Sequence, residues 1–351
     1  MRFILNKVSY AVIVMFGVIL LVFLLFQTLG DPARLMVGQS GDKQTLENIR
    51  KEMRLDKPTW QQFLFYLNDV SPISYHSTEE IKQKDLRGFF IGKNNKIGIK
   101  VPYLGKSYQT KKPALAVLAD ALSGTIILAL TAMLFAVVIG VALGTLAAVK
   151  KDTWIDNAAV LSSVAGISAP SFFVAIIVAY VFGIVLHQYT GLSITGSLYV
   201  LDEVTGEKYM VIKNLILPAF TLGIRPLAII TQLTRSSMLD VLNQDFIRTA
   251  YAKGLTKTNV ILKHALPNAL NPVITAVTGW FAELLAGAFF IEYIFGWKGI
   301  GKLTVDALEK LDYPIVMGAV LISALFFVVI NMLADLLYKA IDPRIKTEAA
   351  T

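Results

Sequence analysis

Six stretches of the chain are apolar for long enough to cross a bilayer, and polar stretches of very different lengths separate them. They lie near Val8–Leu29, Thr125–Val149, Ala158–Leu186, Leu215–Leu233, Ala269–Ile291 and Ile315–Tyr338. A helix needs about 20 residues to span a hydrocarbon core of ~30 Å. The pattern therefore predicts an all-α integral membrane protein with six transmembrane helices. Arg2 and Lys7 precede the first run, as they would in a signal peptide, but no small-x-small cleavage site follows before Gly30-Asp31-Pro32. A retained first helix is expected over residues 1–29.

The polar stretches differ in kind. Residues 30–113 form a long loop with two amphipathic pieces, Gln44–Arg54 and Thr59–Asp69; the second carries Trp60, Phe63, Leu64 and Leu67 at helical spacing. Ser71–Pro102 has no clear period, so a small, partly irregular extracytoplasmic subdomain is expected there. Residues 114–341 hold the other five spans, and 342–351 form a tail. Within the spans, Gly140 and Gly144 stand in a G-x-x-x-G pair that suits close helix packing; in a glycine-rich apolar run the same spacing also arises by chance. Pro170 should kink the third span. Pro218, Gly223 and Pro226 should make the fourth the most irregular.

Charge sets the orientation. With the N-terminus inside, the cytoplasmic segments 1–7, 150–157, 234–268 and 339–351 hold twelve Lys or Arg, against five in the short outer loops 187–214 and 292–314. The fifteen in the 30–113 loop do not count against this, because long domains translocate regardless of charge. Both termini are expected inside, in the plasma (inner) membrane of a prokaryotic cell. A hydrophobic share of 55% and a mean hydropathy of +0.60 exclude a soluble domain of this length. The net charge of +8 flanks apolar runs rather than forming an aromatic-laced basic stripe, so no nucleic-acid partner is implied. There is no cysteine, no histidine pair at metal-ligand spacing and no internal repeat.

One polar stretch calls for a partner. Asp245–Pro267, in the largest cytoplasmic loop, carries Arg248, Lys253, Lys257 and Lys263 against one acid. It reads as two short helices broken at Gly254, which takes a positive φ without penalty, and Pro267 sits where a new helix can start. The only nucleotide-like motif, Gly296–Leu303, has leucine where a P-loop needs Ser or Thr for Mg²⁺, and lies in an outer loop. No nucleophile–base set or carboxylate pair suggests catalysis, so this chain is expected to be no enzyme and to bind no cofactor.

Charges inside spans usually meet a partner or a polar path. Arg225 and Glu283 are candidates to approach each other or to share a path; snorkelling or contact with backbone carbonyls is the alternative. Asp335 is expected at the interface, His264 on a helix surface, and Asp120 needs no special role.

The loop resembles the cytoplasmic "EAA" loop of ABC importer permeases, E-A-A-x-x-x-G followed at nine residues by I-x-L-P. Ala250, Gly254, Leu266 and Pro267 match it; Arg248, Thr249 and His264 depart from it. Those departures are similar to the oligopeptide and dipeptide branch, whose F-I-R-T-A-x-A-K-G-L form is met by Phe246–Leu255, including Ala252, Lys253 and Leu255. Thr234–Leu239, Gly30-Asp31-Pro32, Leu55–Pro58 with Trp60–Gln62, Leu104–Ser107, Leu285–Ala288, Glu292–Phe295, Gly299–Gly301, Asp312–Pro314 and Asp342–Arg344 also resemble that branch.

The resemblance implies a type I importer permease fold, with an extracytoplasmic insertion between helices 1 and 2 and a coupling loop over 235–267. It implies these partners: a second permease subunit, usually a different chain, two ATP-binding cassette ATPase subunits that hold ATP and Mg²⁺, and an extracytoplasmic substrate-binding protein. Peptides are the implied substrate, with nickel complexes or another small solute as the alternative. A membrane scaffold that only docks a cytoplasmic partner is the competing class.

Overall fold

The computed structural model describes residues 2–28, 33, 43–52, 54–202 and 205–341. Gly30-Asp31-Pro32 and Asp342–Arg344 lie outside them, as does the side chain of Asp335. The chain divides into two compact units, Met1–Asp120 with Leu303–Leu325 and Ala121–Lys302 with Phe326–Thr351.

The first unit opens with α1 (Arg2–Thr28), α2 (Lys43–Glu52) and α3 (Thr59–Val70). Phe63 of α3 lies against Phe16 and Phe23 of α1, with ring centroids 6.1 and 5.3 Å apart, and Tyr66 stacks on Phe23. Then come β1 (Ile73–Ser77), α4 (Thr78–Gln83), β2 (Gly88–Ile91) and β3 (Asn95–Lys100). The strands form an antiparallel sheet in the order β1-β3-β2. A regular three-stranded sheet thus lies within the stretch that has no clear period in the sequence. The strands do alternate, but in the inverse sense: Ser74, His76 and Lys100 are buried while Ile73, Tyr75, Ile97 and Ile99 are exposed. The strands are only four to six residues long and Gly88 and Gly98 interrupt their side-chain pattern, which leaves little period to read.

On the buried polar face His76 and Lys100 are paired, while the Ser74 hydroxyl has no partner among the described residues. His76 Nδ1 lies 3.1 Å from Glu80 Oε2, Glu80 pairs with Arg54, and Lys84 bonds Asp69 at 2.6 Å. Lys100 donates to the carbonyls of Asp69 and Ser71. Burial holds His76 below its ordinary value of 6.5, against the pull of Glu80 and Asp69. Burial also pushes Lys100 down to about 8. Burial would raise Glu80, but His76 and Arg54 together hold it below the usual carboxylate range.

For His76 the folded value lies below the unfolded one, so its contribution to stability is present above pH 6.5 and is lost as pH falls below it. Glu80, also depressed, acts in the same direction. Hydrogen-exchange protection over residues 59–102, corrected for intrinsic rates, should therefore drop below pH 6.5. The drop should be smaller in His76→Gln, and unchanged protection down to pH 5 would rule the account out.

Further on, Asp312, 3% exposed, accepts from the Tyr108 amide at 2.9 Å and from the Ser107 hydroxyl. That bond fixes the approach to the second span, where the Leu104–Ser107 and Asp312–Pro314 resemblances lie.

The remaining elements run in order as α5 (Ala114–Val149), α6 (Trp154–Ser168), α7 (Ser171–Tyr180, continued by a π-helical turn over Val181–Val185) and α8 (His187–Thr190). A two-stranded hairpin of β4 (Tyr199–Leu201) and β5 (Lys208–Met210) precedes α9 (Lys213–Leu242). After it come α10 (Asp245–Ala252), α11 (Lys257–Asn259), a π-helical turn over Val260–Ala265, α12 (Leu266–Ala269), α13 (Asn271–Gly287), α14 (Phe289–Ile294), α15 (Ile300–Glu309) and α16 (Tyr313–Ile341).

Among the described residues four helices are long and apolar enough to cross a membrane: α1 from Leu5, α5, α9 and α16 to Ala334. The third expected span is α6 and α7 together, bent by 108° at Pro170. Ala169 is extended, as the residue before a proline is driven to be. The fifth is α13, of 17 residues, followed by α14. The fourth departs from expectation, for α9 runs unbroken through Pro218 and Pro226. Neighbouring helices surround it, burying Leu217, Pro218, Thr221, Gly223, Pro226 and Ile230, and such packing holds a proline-bearing helix together.

Glycine lets α5 lie against α9. A Cβ on Gly144 would stand 2.5 Å from the Thr231 carbonyl oxygen, and one on Gly140 2.9 Å from Ile230 Cγ2. The G-x-x-x-G pair is thus a packing site, and Ile230 sits in a core with Ala129, Ala132, Met133 and Ala136.

Candidate coupling loop and polar cavity

Met238 and Val241, at the end of α9, form an apolar core with Ala148, Ile247, Ala250, Val260, Ala265 and Ala269. That core roots the loop. Everything between, residues 251–259, is exposed. α10 ends at Lys253, and Gly254 follows with φ +79°. Its amide donates to the Tyr251 carbonyl at 2.9 Å, and the Leu255 amide donates back to the Ala250 carbonyl at 3.4 Å. This is the left-handed helix end that glycine adopts at least cost. Thr256 then caps the next helix through Asn259, and Pro267 occupies the first turn of α12.

Amphipathic spacing sorts the candidate residues into two groups. Arg248, Thr249, Ala252, Lys253, Gly254, Leu255 and Pro267 are exposed. Ala250 faces the opposite way, into its own core beside Ile247, and Leu266 packs against the same core. The Arg248–Asp245 ion pair, at 3.4 Å and fully in solvent, contributes little. The face offered outward is therefore basic with apolar spots at Phe246, Tyr251, Leu255 and Leu262. His264 is part of the π-helical turn, and its carbonyl accepts from Asn268 at 2.7 Å.

Two buried carboxylates that pattern reading passed over fix the scaffold around these features. Asp156, 1% exposed at the start of α6, receives Arg235 of α9 through Nε and, at 2.8 Å, through Nη2. The Asp152 amide adds a third bond at 3.1 Å. The sequence places Arg235 in the T-R-S-S-M-L stretch but does not show its partner, 79 residues away.

Glu292, 0% exposed, accepts from the Gly301 amide at 2.6 Å, the Lys302 amide at 3.2 Å and the Thr125 hydroxyl at 2.7 Å. Thr125 Oγ1 also accepts from the Ile300 amide at 2.9 Å. This accounts for the P-loop-like stretch. Its amides open α15, where a helix N-terminus favours an anion, and the anion is the chain's own carboxylate. A Cβ at Gly299 would lie 2.4 Å from that carboxylate, so the spacing of glycines serves Glu292.

Arg225 and Glu283 line one cavity of about 150 Å³ together with Thr221, Trp280, Ser171 and Phe290. The Arg225 guanidinium lies over the Trp280 ring, 5.4 Å from its centroid, a cation–π contact. The two residues, both exposed, thus line the same largely apolar cavity, and the indole is a partner of Arg225.

These features define a class: a multi-pass helical membrane protein with a cavity among its helices and a rooted loop whose tip is exposed. The chain belongs to the binding-protein-dependent transport system inner membrane component family, whose model matches residues 140–347. The N-terminal model for the membrane component of such systems matches residues 1–82. It is thus a transport permease of the ABC importer kind.

Over 331 residues the chain is 36% identical to the dipeptide transport system permease protein DppB of Alkalihalophilus pseudofirmus, covering 90% of each. Over 347 residues it is 33% identical to the glutathione transport system permease protein GsiC of Escherichia coli K12, covering 99% of each. Among solved structures, the MetNI methionine ABC transporter in inward-facing form matches 65% of this chain and 97% of its own, with TM-score 0.50 and 19% identity. That likeness is one of fold.

Proposed function

We propose that this permease imports di- and oligopeptides. In this reading Asp245–Pro267 docks on a partner ATPase subunit that binds ATP and Mg²⁺. Two such ATPases, a second permease subunit and an extracytoplasmic binding protein complete the machine, and both termini of this chain lie in the cytoplasm. The observation that carries the reading is the loop: a buried root with a fully exposed basic tip at residues 251–259. The peptide assignment rests on the relatives, which are named for dipeptide and glutathione transport.

Gly254 supplies the test. Among the described residues, its chain neighbours aside, nothing lies within 4 Å of a Cβ built there, so a side chain would fit sterically. Two costs remain: a β-branched residue at φ +79°, about 1–3 kcal/mol, and intrusion on whatever docks over the turn. Gly254→Val should reduce uptake of labelled peptides at least tenfold and release the ATPase from the purified complex. Wild-type uptake and complex recovery would overturn the coupling assignment. A chain that acted only as a scaffold would show no uptake dependence at all.

Arg225 and Glu283 form part of the proposed translocation path. Arg225→Leu and Glu283→Leu should each lower peptide uptake while leaving ATPase recovery intact. Normal uptake by both variants would remove the two residues from the path.

A further inference from the structure

The three-stranded sheet carries its apolar residues on the outside. Cross-strand register puts them in two rows, Ile73–Ile99–Phe89 and Tyr75–Ile97–Ile91. All six are between 55% and 73% exposed. Monomeric proteins rarely leave such a contiguous patch to water, and one rimmed by charge marks a docking face.

Two observations identify what covers it. The first is charge. Residues 82–112 hold nine Lys or Arg and one acid, Asp85; Lys100 is buried and Lys84 is paired with Asp69, but Lys82, Arg87, Lys93, Lys106, Lys111 and Lys112 are exposed. Arg87 and Lys93, at the two ends of β2, are exposed. The second is position. The buried side of the sheet is tied to α3: the Tyr75 amide donates to Asn68 at 2.9 Å and Lys100 donates to the Asp69 carbonyl. α3 in turn seats Phe63 on Phe16 and Phe23 of α1. Phe23 is five residues before the end of α1 at Thr28, about 7.5 Å along the axis. The subdomain is thereby held at the level of the leaflet into which that end of α1 runs. Trp60 of α3 is 63% exposed there, a residue enriched at membrane–water interfaces.

We propose that the outer face of the sheet is a lipid-binding surface, its isoleucines and Phe89 entering the headgroup–acyl boundary while the surrounding Lys and Arg meet anionic headgroups. A protein partner that comes and goes would leave six apolar side chains in water between visits; the leaflet covers them throughout.

The absence of cysteine makes the test direct. Phe89→Cys, Ile97→Cys and, as a rim control, Lys93→Cys each place a single nitroxide label on the full chain, at positions exposed enough to leave the fold intact. The chain is reconstituted in phosphatidylglycerol–phosphatidylethanolamine vesicles, and collision rates with oxygen and a water-soluble nickel chelate are read by electron paramagnetic resonance. The expected result is oxygen exceeding nickel at 89 and 97, with the order reversed at 93. Nickel exceeding oxygen at 89 and 97 would overturn the proposal. So would shielding of those sites that arises only when a binding protein or second permease subunit is added.

Discussion

Arg235→Leu should prevent most of the chain from reaching a stable fold. It would strand the Asp156 carboxylate, 1% exposed, with one amide bond from Asp152 in place of three. Removing one partner of a fully buried ion pair costs about 3–5 kcal/mol; the Arg235 side chain is 26% exposed, so the loss here falls at or below the lower end of that range. A loss of that size is a large share of what holds an ordinary domain together. The pair joins α6 to α9 only ten residues before the loop begins at Asp245. The variant should show a low yield of monodisperse protein in detergent and a depressed melting temperature. Arg235→Leu combined with Asp156→Leu, which removes both charges, should recover part of the loss. A single variant that melts like wild type would show that the pair is dispensable.

Glu292→Leu should be comparably damaging, for the opposite reason. Here donors, not a charge, are left alone. The Gly301 and Lys302 amides and the Thr125 hydroxyl would each lose an acceptor, at about 1–3 kcal/mol for each buried group unpaired. Glu292→Gln keeps one carbonyl acceptor and should lose less. Gly299→Ala should approach the effect of Glu292→Leu, since its methyl would lie 2.4 Å from the carboxylate. Melting temperatures of the three variants give the comparison, and equal stability of Glu292→Leu and wild type would rule out the carboxylate as an organising centre.

Most of the helical architecture could be read from the chain, because long apolar runs leave a membrane segment few alternatives. Pro170 announced the bend between α6 and α7, and Gly254 announced the loop's turn, since each residue acts on its own backbone whatever surrounds it. Pro218 and Pro226 misled for the complementary reason: whether a helix survives a proline is decided by neighbours, and α9 is enclosed by them. The sheet of residues 73–100 was illegible because its strands are short, four to six residues, and glycines interrupt two of them. Glu292 and Asp156 were illegible as sites because their partners lie far away in sequence, at Thr125 and Arg235. The sequence marks the loop as one stretch, yet only the folded core shows that Ala250 turns inward while Ala252 does not.

The unbroken course of α9 has a mechanical consequence. From Arg225, in the wall of the cavity, to Leu242, where the loop departs, the helix covers 17 residues, about 26 Å at 1.5 Å per residue. Pro226 has no amide hydrogen, so the Leu222 carbonyl lacks its usual helical donor, and Leu222 itself lines the cavity. Beyond Pro226 the helix has no further proline. Between Leu242 and Pro226 it is an uninterrupted rod with a softened joint at the cavity end, so a displacement applied at the loop would be carried to where Arg225 meets Trp280.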